Sequence, residues 1–165
     1  MRASHDFHLQ GTAKVRLYGV GGVTSKLRQC VLSFVSSFAS NIVILEIGTN
    51  DLAVDRPEVV GSAMEELVHF LRDDMSICVV GICEVILHGE SYPRAANFNA
   101  SVSMLNQYLR VALPALSNVI YWQHIGFHSP SRSPYFSDRV HVNSFGQYHL
   151  YCSYRGATLK ALGML

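Results

Sequence analysis

The 165-residue chain has no apolar run approaching the roughly 18 to 20 residues that a membrane-spanning helix needs. Nor does it open with a basic patch followed by an apolar core, the mark of a secretory leader. Charge of one sign is also missing. The formal net charge is +1, which gives no support to a nucleic-acid-coating surface, and with 49% apolar residues the composition is not that of a disordered tail. Cysteine is sparse: Cys30, Cys78, Cys83 and Cys152 lie inside apolar runs without CxxC spacing. That pattern excludes a disulfide framework and predicts buried free thiols in a reducing compartment, with a soluble cytoplasmic protein as the expectation. No internal repeat, linker or composition break divides the sequence, so residues 1–165 are expected to form one domain, able to bury about two-thirds of the extended-chain surface.

What is present alternates. Short β-rich apolar runs are separated by longer stretches of helical period, which predicts a parallel sheet covered by helices on both faces. The runs are Val15–Val20, Asn41–Gly48 (NIVILEIG), Ile77–Val85 and Val119–Trp122. Between them, Leu27, Cys30, Val31, Phe34, Val35 and Phe38 keep helical spacing, as do Val60, Ala63, Met64, Leu67, Val68 and Leu71, and again Phe98, Val102, Leu105, Leu109 and Ala112. A last helix is expected from Ser144, with Ser144 and Gln147 at capping-box spacing. The long segment between Gln123 and Val142, rich in Ser, Pro and His, exceeds a simple connector and invites a functional reading.

In open α/β sheets, sites form at the carboxyl ends of the strands. Three turns there stand out. Gly19, Gly21, Gly22 and Thr24 follow the first run; they serve either a tight reversal or an anion cradle of backbone amides. Gly48, Thr49, Asn50 and Asp51 follow the second, where Asn50 can supply a left-handed backbone and Asp51 a helix cap, or Asn50 can donate to a substrate. Asp138 and His141 close the long loop, at a spacing that lets the carboxylate orient the imidazole, although such pairs also arise without any role. His124 and His128, with His141, lack carboxylate or cysteine partners at metal-site spacing, so no metal or other cofactor is expected. Trp122, Phe127, Tyr135 and Phe136 suit either apolar walls for an acyl group or packing under the loop.

GVGGVT, VILEIGTND and SDRVHVNSFGQ, in that order, resemble the blocks of the SGNH (GDSL-type) hydrolases, and the likeness extends to esterase-like domains of LINE-type retroelement proteins. The resemblance implies a three-layer α/β/α sandwich with a flavodoxin-like parallel sheet and an activity on a small-molecule or lipid-like carboxylic ester. It also implies roles: Gly22 and Asn50 as oxyanion donors, His141 as general base and Asp138 as its orienting carboxylate. In the family a serine at the end of an earlier strand attacks the ester. Here only MRASHDFHLQGTAK precedes the first run, and neither Ser4 nor Ser25 has the apolar strand that aims the nucleophile. The expectation is therefore an N-terminally incomplete domain without its nucleophile block, inactive in this form, with open strand edges prone to a partner chain or to self-association. The alternative is a non-catalytic binding module on the same fold, a retroelement remnant.

Overall fold

The computed structural model describes residues 7, 9, 11, 13–17, 33, 35–89, 95–127, 135–137 and 141–165. The glycine turn at Gly19–Thr24, with Gly22, and Asp138 lie outside them, as do Cys30 and His128.

Among the described residues, three strands, β1 (Ile42–Leu45), β2 (Val79–Cys83) and β3 (Val119–Trp122), pair in parallel in the order β1-β2-β3. Ile42 stands opposite Val79 and Leu45 opposite Ile82, while Val80 faces Val119 and Cys83 faces Trp122. The connections are helices: α1 (Pro57–His69) joins β1 to β2, and α2 (Ala95–Ala112) joins β2 to β3. A third long helix, α3 (Ser144–Ala161), follows β3. Strand side chains alternate between faces. Val43, Leu45, Val80 and Ile82 meet Val60, Met64, Leu67 and Val68 of α1 and Val102, Leu105 and Leu109 of α2 in one core. The other face carries Trp122, whose indole lies against α3. The result is the expected three-layer α/β architecture.

The periodic segments fold where their spacing predicts. Val60, Met64, Leu67, Val68 and Leu71 are all buried, and α1 runs on through a wider π turn, Phe70–Asp74, before the chain enters β2. The apolar runs are longer than the strands they contain: of NIVILEIG only Ile42–Leu45 pairs, and Val15, Arg16 and Leu17 adopt no strand. Ser33 and Val35–Phe38 are helical, in line with the period read there. The thiols are only partly as expected, because Cys83 is buried but Cys78 and Cys152 are exposed. An apolar neighbourhood in sequence does not decide which side of an element a residue takes.

The cap of α3 also differs from expectation. Asn143, not Ser144, is the N-cap, its side chain accepting a hydrogen bond from the Gly146 amide at 2.9 Å. A Cβ on Gly146 would run into the carbonyl oxygen of Tyr135. The N-S-x-G portion of the ending is thus explained by how the helix starts and how tightly it lies on the preceding loop.

Gly156, in the middle of α3, lets the helix approach the sheet: a Cβ there would stand 2.8 Å from Cζ2 of Trp122. That ring cannot yield easily, since its Nε1 donates to Ser153 Oγ at 2.9 Å. Helix propensity alone favours Gly156→Ala by about 1 kcal/mol. Overpacking against a held indole costs about 1–3 kcal/mol and should win. Urea unfolding of Gly156→Ala is expected to show a lower midpoint than the native chain; a higher one would mean the helix shifts freely.

Candidate active site at the carboxyl ends of the strands

Each strand ends in a loop on the same edge of the sheet. After β1 the chain turns at Gly48, whose φ of +106° is a conformation that side-chain-bearing residues rarely adopt. The turn is then closed by the Leu52 amide on the Gly48 carbonyl at 2.9 Å and leads into a short 3-10 helix, Asp51–Ala53. Asn50 precedes that helix in ordinary right-handed backbone, φ −76° and ψ −31°, and its side chain does not cap it. The structural reading of this turn, which gave Asn50 the left-handed residue's task, is therefore overturned: Gly48 performs it. Asn50 is exposed at the sheet's carboxyl edge, as an oxyanion donor must be, and Asp51 beside it is buried.

The loop after β2 is built differently. Asn106 of α2 accepts from the Val85 amide at 2.9 Å and donates to the Val85 carbonyl at 2.8 Å. Asn99, two helical turns earlier, does the same for His88, at 2.8 and 3.0 Å. The two amide side chains substitute for a neighbouring strand and hold Val85–His88 in place. The His88 ring stacks on Phe98, centroids 3.9 Å apart and 15° from parallel. Burial, and after it the charge His141 carries when protonated, holds the His88 imidazole below its ordinary pKa.

His141 itself is exposed. Its carbonyl accepts from the Ser137 amide at 2.8 Å and from the Ser137 hydroxyl at 3.0 Å. Phe136 bridges Val142, and the Asn143 amide donates to the Tyr135 carbonyl at 2.8 Å. Residues 135–137 and 141–143 therefore clasp one another on either side of 138–140, and the α3 cap follows directly. The aromatic residues of this region pack rather than wall a pocket: Phe127 is 1% exposed and lies on Tyr135, which stacks on Phe145, while Trp122 is on the α3 face.

Beneath these loops lies a polar cluster that linear spacing did not reveal. His124 is fully buried. Its amide donates to Glu84 Oε1 at 2.7 Å, its Nδ1 lies 2.8 Å from Ser153 Oγ, and its Nε2 lies 3.8 Å from Glu46 Oε2. Burial, and then the charge of Glu84, pushes the Glu46 carboxyl up to about 7. Burial pushes Glu84 up to about 7 as well, against the opposing pull of the His124 amide and Arg110. Cys83, between them, is pushed up by burial and by both carboxylates, which makes its thiol inert. No group of three or more potential metal ligands forms among the described residues. His124 belongs to this cluster. A signal for it was available: Glu46, Glu84 and His124 each fall one or two residues past a strand, so parallel pairing alone brings them together.

Scanned against models of protein families the chain matches none, and no curated protein matches it. Solved structures do. A proposed platelet activating factor from Streptococcus pneumonia superposes with a TM-score of 0.72 at 19% identity, over 92% of this chain and 77% of that one. A proposed acylhydrolase from Bacteroides fragilis gives 0.70 at 15% identity, over 86% and 72%. A catalytic mutant of the acetylxylan esterase Axe2 from Geobacillus stearothermophilus gives 0.65 at 16% identity, over 94% and 75%. The chain has the α/β fold of these structures.

Proposed function

We propose that this chain carries the carboxylic-ester-hydrolase site of an SGNH-type serine esterase. The observation that supports it most is the GTND turn, in which Gly48 takes the strained backbone and Asn50 is exposed at the strand end, its side chain not capping the 3-10 helix. In this reading the Asn50 side chain and the Gly22 amide stabilise the oxyanion of a tetrahedral intermediate. His141 takes the proton of the attacking serine hydroxyl and gives it to the departing alkoxide, with Asp138 fixing its tautomer. Water then attacks the acyl-enzyme by the same route and releases the acid. The serine belongs, by the family resemblance, to a strand upstream of residues 15–20.

The test is hydrolysis of p-nitrophenyl acetate by this chain and by a form extended upstream through the next in-frame apolar segment. The extended form is expected to turn over, and His141→Ala to remove at least about a thousandfold of that rate. The melting temperature should stay within a few degrees, because an exposed histidine packs little. Full activity in His141→Ala would refute the assignment. A second reading, a non-catalytic interaction module on the same fold and a retroelement remnant, gains support from the exposed apolar side chains of Ile125, Phe145 and Tyr148, which are 84%, 54% and 63% exposed. Inactivity of both forms, with the short chain folding cooperatively, would favour it.

A further inference from the structure

At the amino ends of the strands, on the edge of the sheet opposite Asn50, lies a cavity of about 440 Å³. We propose that it binds a small organic cation with an apolar body, a protonated aromatic amine, with the Asp74 carboxylate as its counter-ion. The inference stands apart from the ester-hydrolase reading and does not depend on it.

Size, lining and charge point the same way. Small-molecule sites commonly enclose roughly 300–1,000 Å³ between mostly apolar walls with a few polar groups. Here the apolar walls come from Val35, Phe70, Met75 and Ile77, and a ring and a thioether are favourable neighbours for an aromatic body. Among the described residues, Asp74 is the one charged group in the lining. Its place is the informative one. The helix α1 and the π turn after it run without a break from Pro57 to Asp74, so the negative end of that helix dipole falls at Asp74. A carboxylate there is repelled by the dipole, and helix stability argues against it. Its neighbour Asp73 has a partner one turn back, His69 at 3.4 Å, and Arg72 donates to Ser117 Oγ at 3.1 Å. Asp74 forms no ion pair among the described residues. A second helical segment ends at the same cavity: Val35–Phe38 stops at Ala39, φ +47°, where the Ser40 amide closes on the Val35 carbonyl at 3.3 Å. Two helices therefore bring their carbonyl ends to the margin of a cavity that also holds a carboxylate, which favours a cation and disfavours an anion. An ammonium group has three donors, and the hydroxyls of Ser36 and Ser40 in the lining are acceptors additional to Asp74. A residue that works against its own helix is expected where function, not folding, sets the choice.

Titration of the isotope-labelled chain with phenethylamine, phenethyl alcohol and phenylacetate tests this by nuclear magnetic resonance, because the three share a ring and differ in charge. Phenethylamine is expected to shift the methyl groups of Met75 and Ile77 and to bind about fivefold more tightly than phenethyl alcohol, with phenylacetate the weakest. Asp74→Asn should bring the ratio of amine to alcohol to about one without changing alcohol binding. Asp73→Asn, which removes an equal charge one residue away, should leave the ratio close to that of the native chain. The melting temperature of Asp74→Asn is expected not to fall, since the charge it removes opposes the helix dipole, so the comparison is made on a folded chain. An absence of shifts at Met75 and Ile77 with phenethylamine at millimolar concentration would overturn the proposal. A ratio unchanged in Asp74→Asn, or equal binding of all three compounds, would overturn it as well.

Discussion

Replacing Gly48 by alanine is expected to cost about 2–6 kcal/mol and to displace Asn50. Two independent penalties act at that position. The backbone at φ +106° suits glycine alone, and a side chain there costs on the order of 1–3 kcal/mol. The added Cβ would also stand 2.5 Å from Cε of Met64 and 3.2 Å from Cγ2 of Val85, inside the core that α1 and α2 share. Met64 can swing its terminal methyl aside. Val85 cannot, because Asn106 holds its backbone at both ends, so about 1–3 kcal/mol of overpacking remains. Both penalties are relieved by the same movement, a shift of the turn toward solvent that carries Asn50 with it. Urea unfolding should give the stability loss. In an active extended form, kcat should fall by far more than substrate binding weakens, since the lost hydrogen bond belongs to the transition state. A Gly48→Ala chain as stable as the native one would show that the turn readily takes another conformation.

The second large effect concerns pH. Glu84 keeps its proton up to about pH 7 in the folded chain, whereas in the unfolded chain it releases it near 4.5. The folded state therefore binds more protons between those values, and stability must fall as pH rises through that window and stay low above it. For Glu84, which is 4% exposed, the loss is on the order of 3 kcal/mol. Glu46 acts in the same direction, with the charge of Glu84 part of the reason. Glu84→Gln retains an oxygen to accept the His124 amide and removes the ionisation. Its unfolding free energy at pH 8 should exceed that of the native chain by about 2 kcal/mol, and at pH 5 the two should be close. Parallel stability curves for the two chains from pH 5 to 8 would show that the carboxyl is ionised in the fold.

Much of the fold can be read from period alone. The β1, β2 and β3 runs and the helical spacings of α1 and α2 are dominated by burial, which is what hydrophobic pattern records. The strand ends are less legible because an apolar run continues past the last paired residue: Ile47 and Val85 are as buried as the strands but belong to the turns. The cap at Asn143 was displaced by one residue from the reading because Ser144 and Gln147 and Asn143 and Gly146 share the same spacing. Geometry, not composition, chooses between them. In the candidate site, Asn50 and His141 stood out by residue type within their turns. The held stretch Val85–His88 did not, since its place depends on Asn99 and Asn106, which show in sequence only as two polar residues seven apart beside an apolar stripe. Nor did the Glu46, Glu84 and His124 cluster, whose members come from three strand ends distant in the chain.

The asparagine hooks of α2 have a consequence for cooperativity. A loop ordered by its own backbone turns can open and close while the rest of the protein stays intact. Val85 and His88 are bonded instead to side chains of a helix whose neighbouring residues, Val102, Leu105 and Leu109, form the centre of the core. The loop cannot lose those four bonds without either rotating α2 or leaving two half-buried amide groups to find other partners. Order at the rim of the site and integrity of the core are in this way one equilibrium, and a chain that has lost the first has begun to lose the second.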